Sequence, residues 1–385
     1  MKNANIVEEL RNPSRVLGHL DLLERNEKVL ATGGTINPAL VEFHITDRCD
    51  LRCPYCTYSD RNGARFPYED LPKIAQLQPR ALVIAGGGEP SLYNVGEHTT
   101  EHVLLRLREL LPKTKFGFIT NGAAFPGNKA ASVLDWVRIS LDAHSSETHQ
   151  KQKNGNSFSY ESRIAVLNLW ASSGVKNVGI GYLLNKSSLG VAADFTKAMF
   201  DVTKLMSSGK DRINVQFRLT CGIQSCSCPS SNYAAEDRLQ SPDLTETWKN
   251  ELLSQKEKVI SLMRKDSEFD DFVRTQTNFV DPSLSTPNSP VDDFDRCRIS
   301  LLRCLVRADG SIFPCVMKAT SGAAAAGNIL TDDARSIASG LGAFYRLDSD
   351  RCSGAEKCCR IDGKKNVLLQ RNQGQRALKL ENPFF

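Results

Sequence analysis

Between residues 41 and 220, short β-rich runs alternate with helix-patterned stretches, and no other feature constrains the fold as strongly. The β-rich runs lie at 41–46, 81–85, 116–120, 137–141, 178–184 and 215–219. The second is apolar throughout, as a strand buried on both faces would be. Between the runs, Val103, Leu107 and Leu110 share one helical face, as do Val191, Phe195, Ala198, Val202 and Leu205. Strands alternating with helices imply parallel βα units. Units of roughly thirty residues suit a (β/α) barrel or an open doubly wound sheet.

The flanking regions read differently. Residues 4–30 are charged and amphipathic, so 1–40 is expected to form an N-terminal helical cap. Within 221–296, a loop rich in Cys, Ser, Pro and Asn precedes a charged helical stretch at 244–275 and a proline-containing linker. Residues 297–318 pattern as a hairpin, with two apolar runs around Ala308-Asp309-Gly310, an Asp-Gly turn signal. They open a small cysteine-rich unit at 297–360, and 361–385 is a basic tail.

Composition narrows the function classes. The chain carries 49 Lys and Arg against 44 Asp and Glu, a net +5 that is weak for a nucleic-acid binder of 385 residues. Most of that excess lies in the tail, so nucleic acid is an unlikely partner. No apolar run is long enough to span a bilayer, so no membrane partner is expected. The first residues include Glu8 and Glu9 and lack the apolar centre of a secretory signal. A cytoplasmic location is the expectation, and there thiols stay reduced.

Twelve cysteines in such a compartment read better as metal ligands than as disulfides. They fall in triplets at 49, 53, 56; at 221, 226, 228; at 297, 304, 315; and at 352, 358, 359. Triplets within short segments suit a metal or cluster, whose ligands must converge. The first is Cys49-Asp50-Leu51-Arg52-Cys53-Pro54-Tyr55-Cys56, a CxxxCxxC. Three thiolates can hold three irons of a [4Fe–4S] cube and leave the fourth open to a substrate or cofactor. A zinc site would need a fourth ligand, which His44 or Asp50 could supply.

These residues resemble the radical S-adenosylmethionine (radical SAM) superfamily, whose CxxxCxxC carries an aromatic where Tyr55 stands. The resemblance covers 41–220. It implies a partial (β/α)6 TIM-like barrel followed by a cysteine-rich auxiliary-cluster domain. It implies a cluster on Cys49, Cys53 and Cys56 whose open iron chelates S-adenosylmethionine. An electron from an external donor such as ferredoxin or flavodoxin then releases a 5′-deoxyadenosyl radical that abstracts hydrogen from a substrate. Gly86-Gly87-Gly88-Glu89-Pro90, after the second run, matches the family's GGEP segment. Glycines allow close backbone approach, and Glu89 can accept from an ammonium. Asn121 ends the third run, and Ser140 and Asp142 the fourth. By resemblance, Tyr55, Gly87, Gly88, Glu89, Asn121, Ser140 and Asp142 hold the cofactor. Asn121 reads equally well as a turn residue and Asp142 as a helix N-cap. The segment from His149 through Lys153 to Phe158 is similar to one in peptide-modifying members, many of which carry arginine at the position of Lys153.

The spacing from Cys297 through Gly310 to Cys315 is similar to the opening of the family's SPASM and twitch domains. It implies at least one auxiliary [4Fe–4S] cluster drawing on Cys297, Cys304, Cys315, Cys352, Cys358 and Cys359. A structural zinc site is the alternative. Cys221, Cys226 and Cys228 could be further ligands, a hydrogen-atom donor or inert loop residues. The function expected is an oxidoreductase-type radical enzyme modifying a ribosomally made peptide or protein by epimerisation, cross-linking or oxidation. A radical dehydrogenase of an aminocyclitol or sugar and a non-catalytic zinc or interaction protein are the competing readings.

Overall fold

A computed structural model of the chain describes residues 13–58, 62–153, 159–185, 187–219, 246–281, 293–320, 322–348, 360–379 and 382–384. All six β-rich runs are strands: β1 (Leu40–His44), β2 (Ala81–Ala85), β3 (Lys115–Thr120), β4 (Trp136–Ser140), β5 (Asn177–Leu184) and β6 (Ile213–Leu219). They pair in sequence order and in parallel. The longer helices between them are α1 (Leu20–Thr32, ahead of β1), α2 (Thr100–Leu110), α3 (Ser146–Lys153), α4 (Tyr160–Ser172) and α5 (Ala192–Leu205). After β6 come α6 (Glu246–Met263) and α7 (Ser267–Gln276). None of the helices described is long and apolar enough to cross a membrane.

Strand alternation divides the side chains into two layers. Val41, Phe43, Leu82, Ile84, Phe116, Phe118, Val137, Ile139, Val178, Ile180, Val215 and Phe217 face the helices and form the main core. The other set faces the concave side. There Leu40, Ala81, Val83 and Ala85 form a second apolar cluster with Phe384, and Ile119 and Trp136 pack against it. Gly117 clears space for Trp136, because a Cβ there would fall 2.2 Å from the indole.

The cysteine-rich unit supplies further strands. Its hairpin, β7 (Arg303–Val306) and β8 (Ser311–Phe313), turns at Gly310 with φ 85°, as Asp-Gly foretold. However, β7 also pairs in parallel with β1, so the hairpin and β9 (Gly327–Asn328) extend the barrel sheet. One nine-stranded sheet results, ordered β9-β8-β7-β1-β2-β3-β4-β5-β6. At the far edge the Asn278 side chain covers β6, accepting from Phe217 N at 2.7 Å and donating to Phe217 O at 3.1 Å.

Within the charged stretch, 246–263 and 267–276 are two helices. Asp266 stops the first and caps α7 by accepting from the backbone of Glu268 and Phe269. The tail is also more than solvated charge: Arg360–Arg371 is helical, and residues 382–384 reach the barrel floor. Arg15 Nε donates to Phe384 O at 2.9 Å, and Arg15 also bonds Asn382 O, while His19 Nε2 meets Pro383 O at 3.1 Å. The Phe384 ring stands edge-on to Trp136, with centroids 5.3 Å apart. Phe384→Ala is expected to cost about 3 kcal/mol, the value for emptying a buried aromatic site, read as a lower urea midpoint with unchanged m-value.

Candidate functional site

The motifs meet at the C-terminal ends of the strands, where parallel barrels build their sites. The loop after β1 closes on itself through Asp47 N to Ala64 O (2.8 Å) and Phe66 N to Ile45 O (2.9 Å). A turn from Cys53 O to Cys56 N (3.0 Å) puts those two residues on one bend. Cys49 Sγ lies 3.5 Å from Leu51 N and 3.9 Å from Asn121 Nδ2, both donors that favour a thiolate. Cys49, Cys53 and Cys56 are all partly exposed.

A buried triad fixes this loop to the barrel. Arg163, on α4, donates from Nη2 to Asp50 Oδ2 at 2.7 Å and from Nη1 to Asn121 Oδ1 at 3.0 Å. Asn121 Nδ2 closes the circuit on Asp50 Oδ1 at 2.8 Å. Arg163 is wholly buried. Sequence reasoning passed over it, although its signal was legible: a cation at helical spacing from Leu167 and Trp170, both core residues.

The glycine segment explains itself by packing. A Cβ on Gly87 would lie 2.4 Å from Asp47 Oδ1, and one on Gly88 would lie 2.2 Å from Arg48 O. Backbone bonds run between the same segments, Gly88 N to Thr46 O at 3.0 Å and Glu89 N to Arg48 O at 2.7 Å. Gly87 and Gly88 therefore let this turn lie flat against the residues that lead into Cys49. Gly88→Ala is expected to push that stretch away and lower iron uptake severalfold, measured as iron per chain after anaerobic reconstitution.

Glu89 is buried behind the same turn. It accepts from Thr120 Oγ1 (2.5 Å), Asn121 N (2.6 Å) and Ser91 N (3.0 Å). Of the roughly four acceptor positions on a carboxylate, one is left for the ammonium expected there. Burial raises its pKa against the pull of these bonds.

Asp142 is held left-handed, with φ 52°. Its Oδ2 accepts from Lys153 Nζ at 2.5 Å and Tyr55 Oη at 3.0 Å, and its Oδ1 from Leu183 N at 2.7 Å. Burial opposes ionisation of Asp142, but the Lys153 ammonium and Arg218 outweigh it and hold the pKa low. Lys153 stays charged by the reverse argument: burial lowers its pKa, and Asp142 more than restores it. Burial also drives the Tyr55 hydroxyl far above its ordinary range, so it is a donor. Ser140 ends β4 on the concave face. Asp142 thus acts as a tie between α3, β5 and the cysteine loop rather than as a helix cap. The segment after Lys153, at 154–158, lies outside the described residues.

The donor set can be tested against zinc and against a four-iron cube. His44 Nε2 sits 3.0 Å from Glu42 Oε1, and its ring stands edge-on to Tyr58. Both oxygens of Asp50 are committed to Arg163 and Asn121. Asp50 is thus engaged elsewhere, while His44 keeps Nδ1 buried without a hydrogen bond. Among the described residues no three His, Cys, Asp or Glu side chains gather around a single-ion site. A cube gives each thiolate its own iron and spreads them wider. Three thiols on one loop fit that group.

The second set of cysteines divides. Cys297 N bonds Tyr345 O at 2.9 Å, and its sulfur lies 3.7 Å from Asn366 Nδ2. Cys315 precedes the one-turn helix Val316–Thr320, within electrostatic range of Tyr58. Cys304, expected as a ligand, alternates onto the helix-packed face of β7, in the main core. Burial pushes its thiol up to about 12. Cys221, Cys226, Cys228, Cys352, Cys358 and Cys359 lie outside the described residues.

Comparison with known proteins agrees with this geometry. Residues 43–187 match the radical SAM superfamily. The S-adenosylmethionine-dependent nucleotide dehydratase RSAD2 of Danio rerio is 25% identical over 147 residues, covering 36% of this chain and 40% of that protein. GTP 3′,8-cyclase 2 of Mycobacterium tuberculosis is 33% identical over 112 residues, covering 26% of this chain and 30% of that protein. The chain therefore spans less than half the length of these curated relatives. Among solved structures, Streptococcus suis SuiB bound to its precursor peptide SuiA superposes with TM-score 0.54 at 16% identity, covering 84% of this chain and 68% of that one. The anSMEcpe structure with bound AdoMet gives 0.53 at 16% identity, covering 90% and 93%. At such identities these two structures speak for the fold. Over residues 43–187, which hold the CxxxCxxC loop at the mouth of a parallel partial barrel, the sequence matches the radical SAM superfamily.

Proposed function

We infer that the protein cleaves S-adenosylmethionine reductively and uses the product to take hydrogen from a ribosomally made peptide or protein. One observation carries the reading: three cysteines share a loop at the barrel mouth while both oxygens of Asp50, a candidate fourth zinc ligand, are engaged elsewhere. A [4Fe–4S] cluster bound by Cys49, Cys53 and Cys56 would supply the electron that releases a 5′-deoxyadenosyl radical. The chain's own residues bind and orient. Tyr55, Ser140, Asp142 and Lys153 line the side of the mouth above β4 and β5, where the ribose and carboxylate of the cofactor need partners. Gly87, Gly88, Glu89 and Asn121 brace the opposite side.

A peptide substrate is supported by the extent of the fold likeness. It covers most of this chain in SuiB, bound to SuiA, and in anSMEcpe, whose structure is also known with a Cp18Cys peptide. A small phosphorylated substrate is the second reading, favoured by the curated relatives, which are named for nucleotide chemistry. Cys297 and Cys315, with Cys352, Cys358 and Cys359, are the proposed ligands of an auxiliary cluster. A ferredoxin or flavodoxin in the cytoplasm is the proposed electron donor. Anaerobic reconstitution with iron and sulfide, then S-adenosylmethionine and a reductant, tests the reading. 5′-Deoxyadenosine is expected, with about eight irons per chain if there are two four-iron clusters. A colourless protein that forms none would sink it. Isotope exchange or a mass change in a peptide encoded beside the gene is expected, and failure of every neighbouring peptide would favour the small substrate.

A further inference from the structure

The cysteine loop is flanked by two side chains that carry no role in the site described so far. Asp47 stands two residues before Cys49, and Tyr58 two residues after Cys56. Both lie against Gly87: a Cβ there would fall 2.4 Å from Asp47 Oδ1 and 3.6 Å from Tyr58 Cδ1. The Tyr58 ring stands edge-on to His44, with centroids 5.0 Å apart. Facing them is Arg307, which follows β7 in the hairpin. The parallel pairing of β7 with β1 sets Val306 beside Phe43 and so brings Arg307 to the same end of the sheet as the cysteine loop. The Arg307 backbone is held twice, by its own N to Ser311 O at 2.9 Å and by Gly310 N to its O at 2.9 Å. From this turn Nη2 reaches Asp47 Oδ2 at 3.5 Å.

Asp47 is 1% exposed, and a carboxylate so buried needs a cation to stay ionised. Neither of its oxygens takes a hydrogen bond, and among the described residues Arg307 is its ion-pair partner. Burial raises the Asp47 pKa, and Arg307 is the foremost charge opposing that. Arg307 also lies within electrostatic range of the Tyr58 hydroxyl, as do Cys56 and Cys315. One guanidinium on a fixed turn thus faces both shoulders of the loop. We propose that Arg307 is a positioning residue for the CxxxCxxC loop, holding its ends at the spacing on which Cys49, Cys53 and Cys56 can build a four-iron cube. The hairpin thereby takes part in loading the cluster although Arg307 is no ligand and lies outside residues 43–187. A long side chain with a planar fork suits the task, because it spans from hairpin to loop and meets a carboxylate from a set direction. The inference rests on reading Cys49, Cys53 and Cys56 as ligands of a [4Fe–4S] cluster.

The test is anaerobic reconstitution of the full chain, followed by electron paramagnetic resonance of the dithionite-reduced protein. A cluster with an open iron changes its signal when S-adenosylmethionine binds, whereas a fully ligated one does not. The responsive signal therefore reports the loop cluster even beside an auxiliary one. In Arg307→Gln the EDTA concentration that removes half of that signal is expected to fall roughly tenfold, in the range that ligand-orienting residues contribute to metal affinity. Arg307→Lys keeps the charge and loses the fork, and should fall in between. The double variant Arg307→Gln with Asp47→Asn removes the buried charge together with its partner. Its melting temperature is expected to return toward wild type while its resistance to EDTA stays low. An Arg307→Gln signal that resists EDTA as wild type does overturns the proposal. A double variant that regains resistance along with melting temperature also overturns it, since the pair then only packs. Where Arg307→Gln fails to fold, the lysine and double variants carry the same comparison. None of these readings needs cofactor cleavage. A wild type with the responsive signal but no 5′-deoxyadenosine counts against the enzymatic reading alone, and an unaffected Arg307→Gln that forms 5′-deoxyadenosine counts against Arg307 alone.

Discussion

Alanine at Cys49, Cys53 or Cys56 is expected to abolish 5′-deoxyadenosine formation outright and to bleach the reconstituted protein's visible absorbance. Two thiolates can hold only two corners of a cube, and the described side chains beside the loop already hold other partners. Asp50 has both oxygens bonded, His44 is turned to Glu42, and Asp142 is closed in by Lys153 and Tyr55. Cys304→Ala is the contrasting variant. It removes a core thiol, should cost about 1 kcal/mol of packing, and should leave iron per chain and cofactor cleavage unchanged. Equal iron loss in Cys304→Ala and in Cys49→Ala would contradict the placement of Cys304 on the helix-packed face.

The six barrel strands were legible because each carries its own period-two or continuous apolar signal, which is local. The placement of the hairpin was not. Its Asp309-Gly310 turn announces two strands, but nothing near residues 303–306 reveals that Val41 and Phe43 lie beside Cys304 and Val306. Parallel pairing joins segments far apart in sequence, and a single sequence carries no record of it. The burial of Cys304 was hidden for the same reason. Its spacing suits a ligand, but the alternation set by β1 turns it into the core. The site motifs were visible as residue types, while their partners were not. Glu89 could be placed at the mouth from its motif, but its bonds to Thr120 and Asn121 depend on the meeting of β2 and β3. The tail misled through composition: its cations suggested solvent, whereas Lys365 and Asn366 are buried and Phe384 fills the barrel floor.

Arg163→Ala is expected to be the most destabilising single change at the site. Removing one partner of a buried ion pair typically costs about 3–5 kcal/mol. Here it leaves Asp50 charged and buried, with Asn121 as its remaining side-chain partner, and opens a cavity beside the α4 core. The unfolding midpoint in urea should fall accordingly. Stability alone does not show that the triad positions the cysteine loop, because any buried pair would behave this way. The double variant Arg163→Met with Asp50→Leu separates the two effects. Apolar side chains of similar volume commonly recover what a buried pair contributes, so most of the lost stability should return. Asn121 would then have neither Asp50 nor Arg163 to hold, and Cys49 would lose the donor at 3.9 Å that this circuit keeps in place. Iron uptake and 5′-deoxyadenosine formation should therefore stay low in a protein that folds nearly as well as the parent. Recovery of both with stability would reduce the triad to a packing element, whereas a stable protein with a poorly loaded cluster makes Arg163 the residue that holds the CxxxCxxC loop in register.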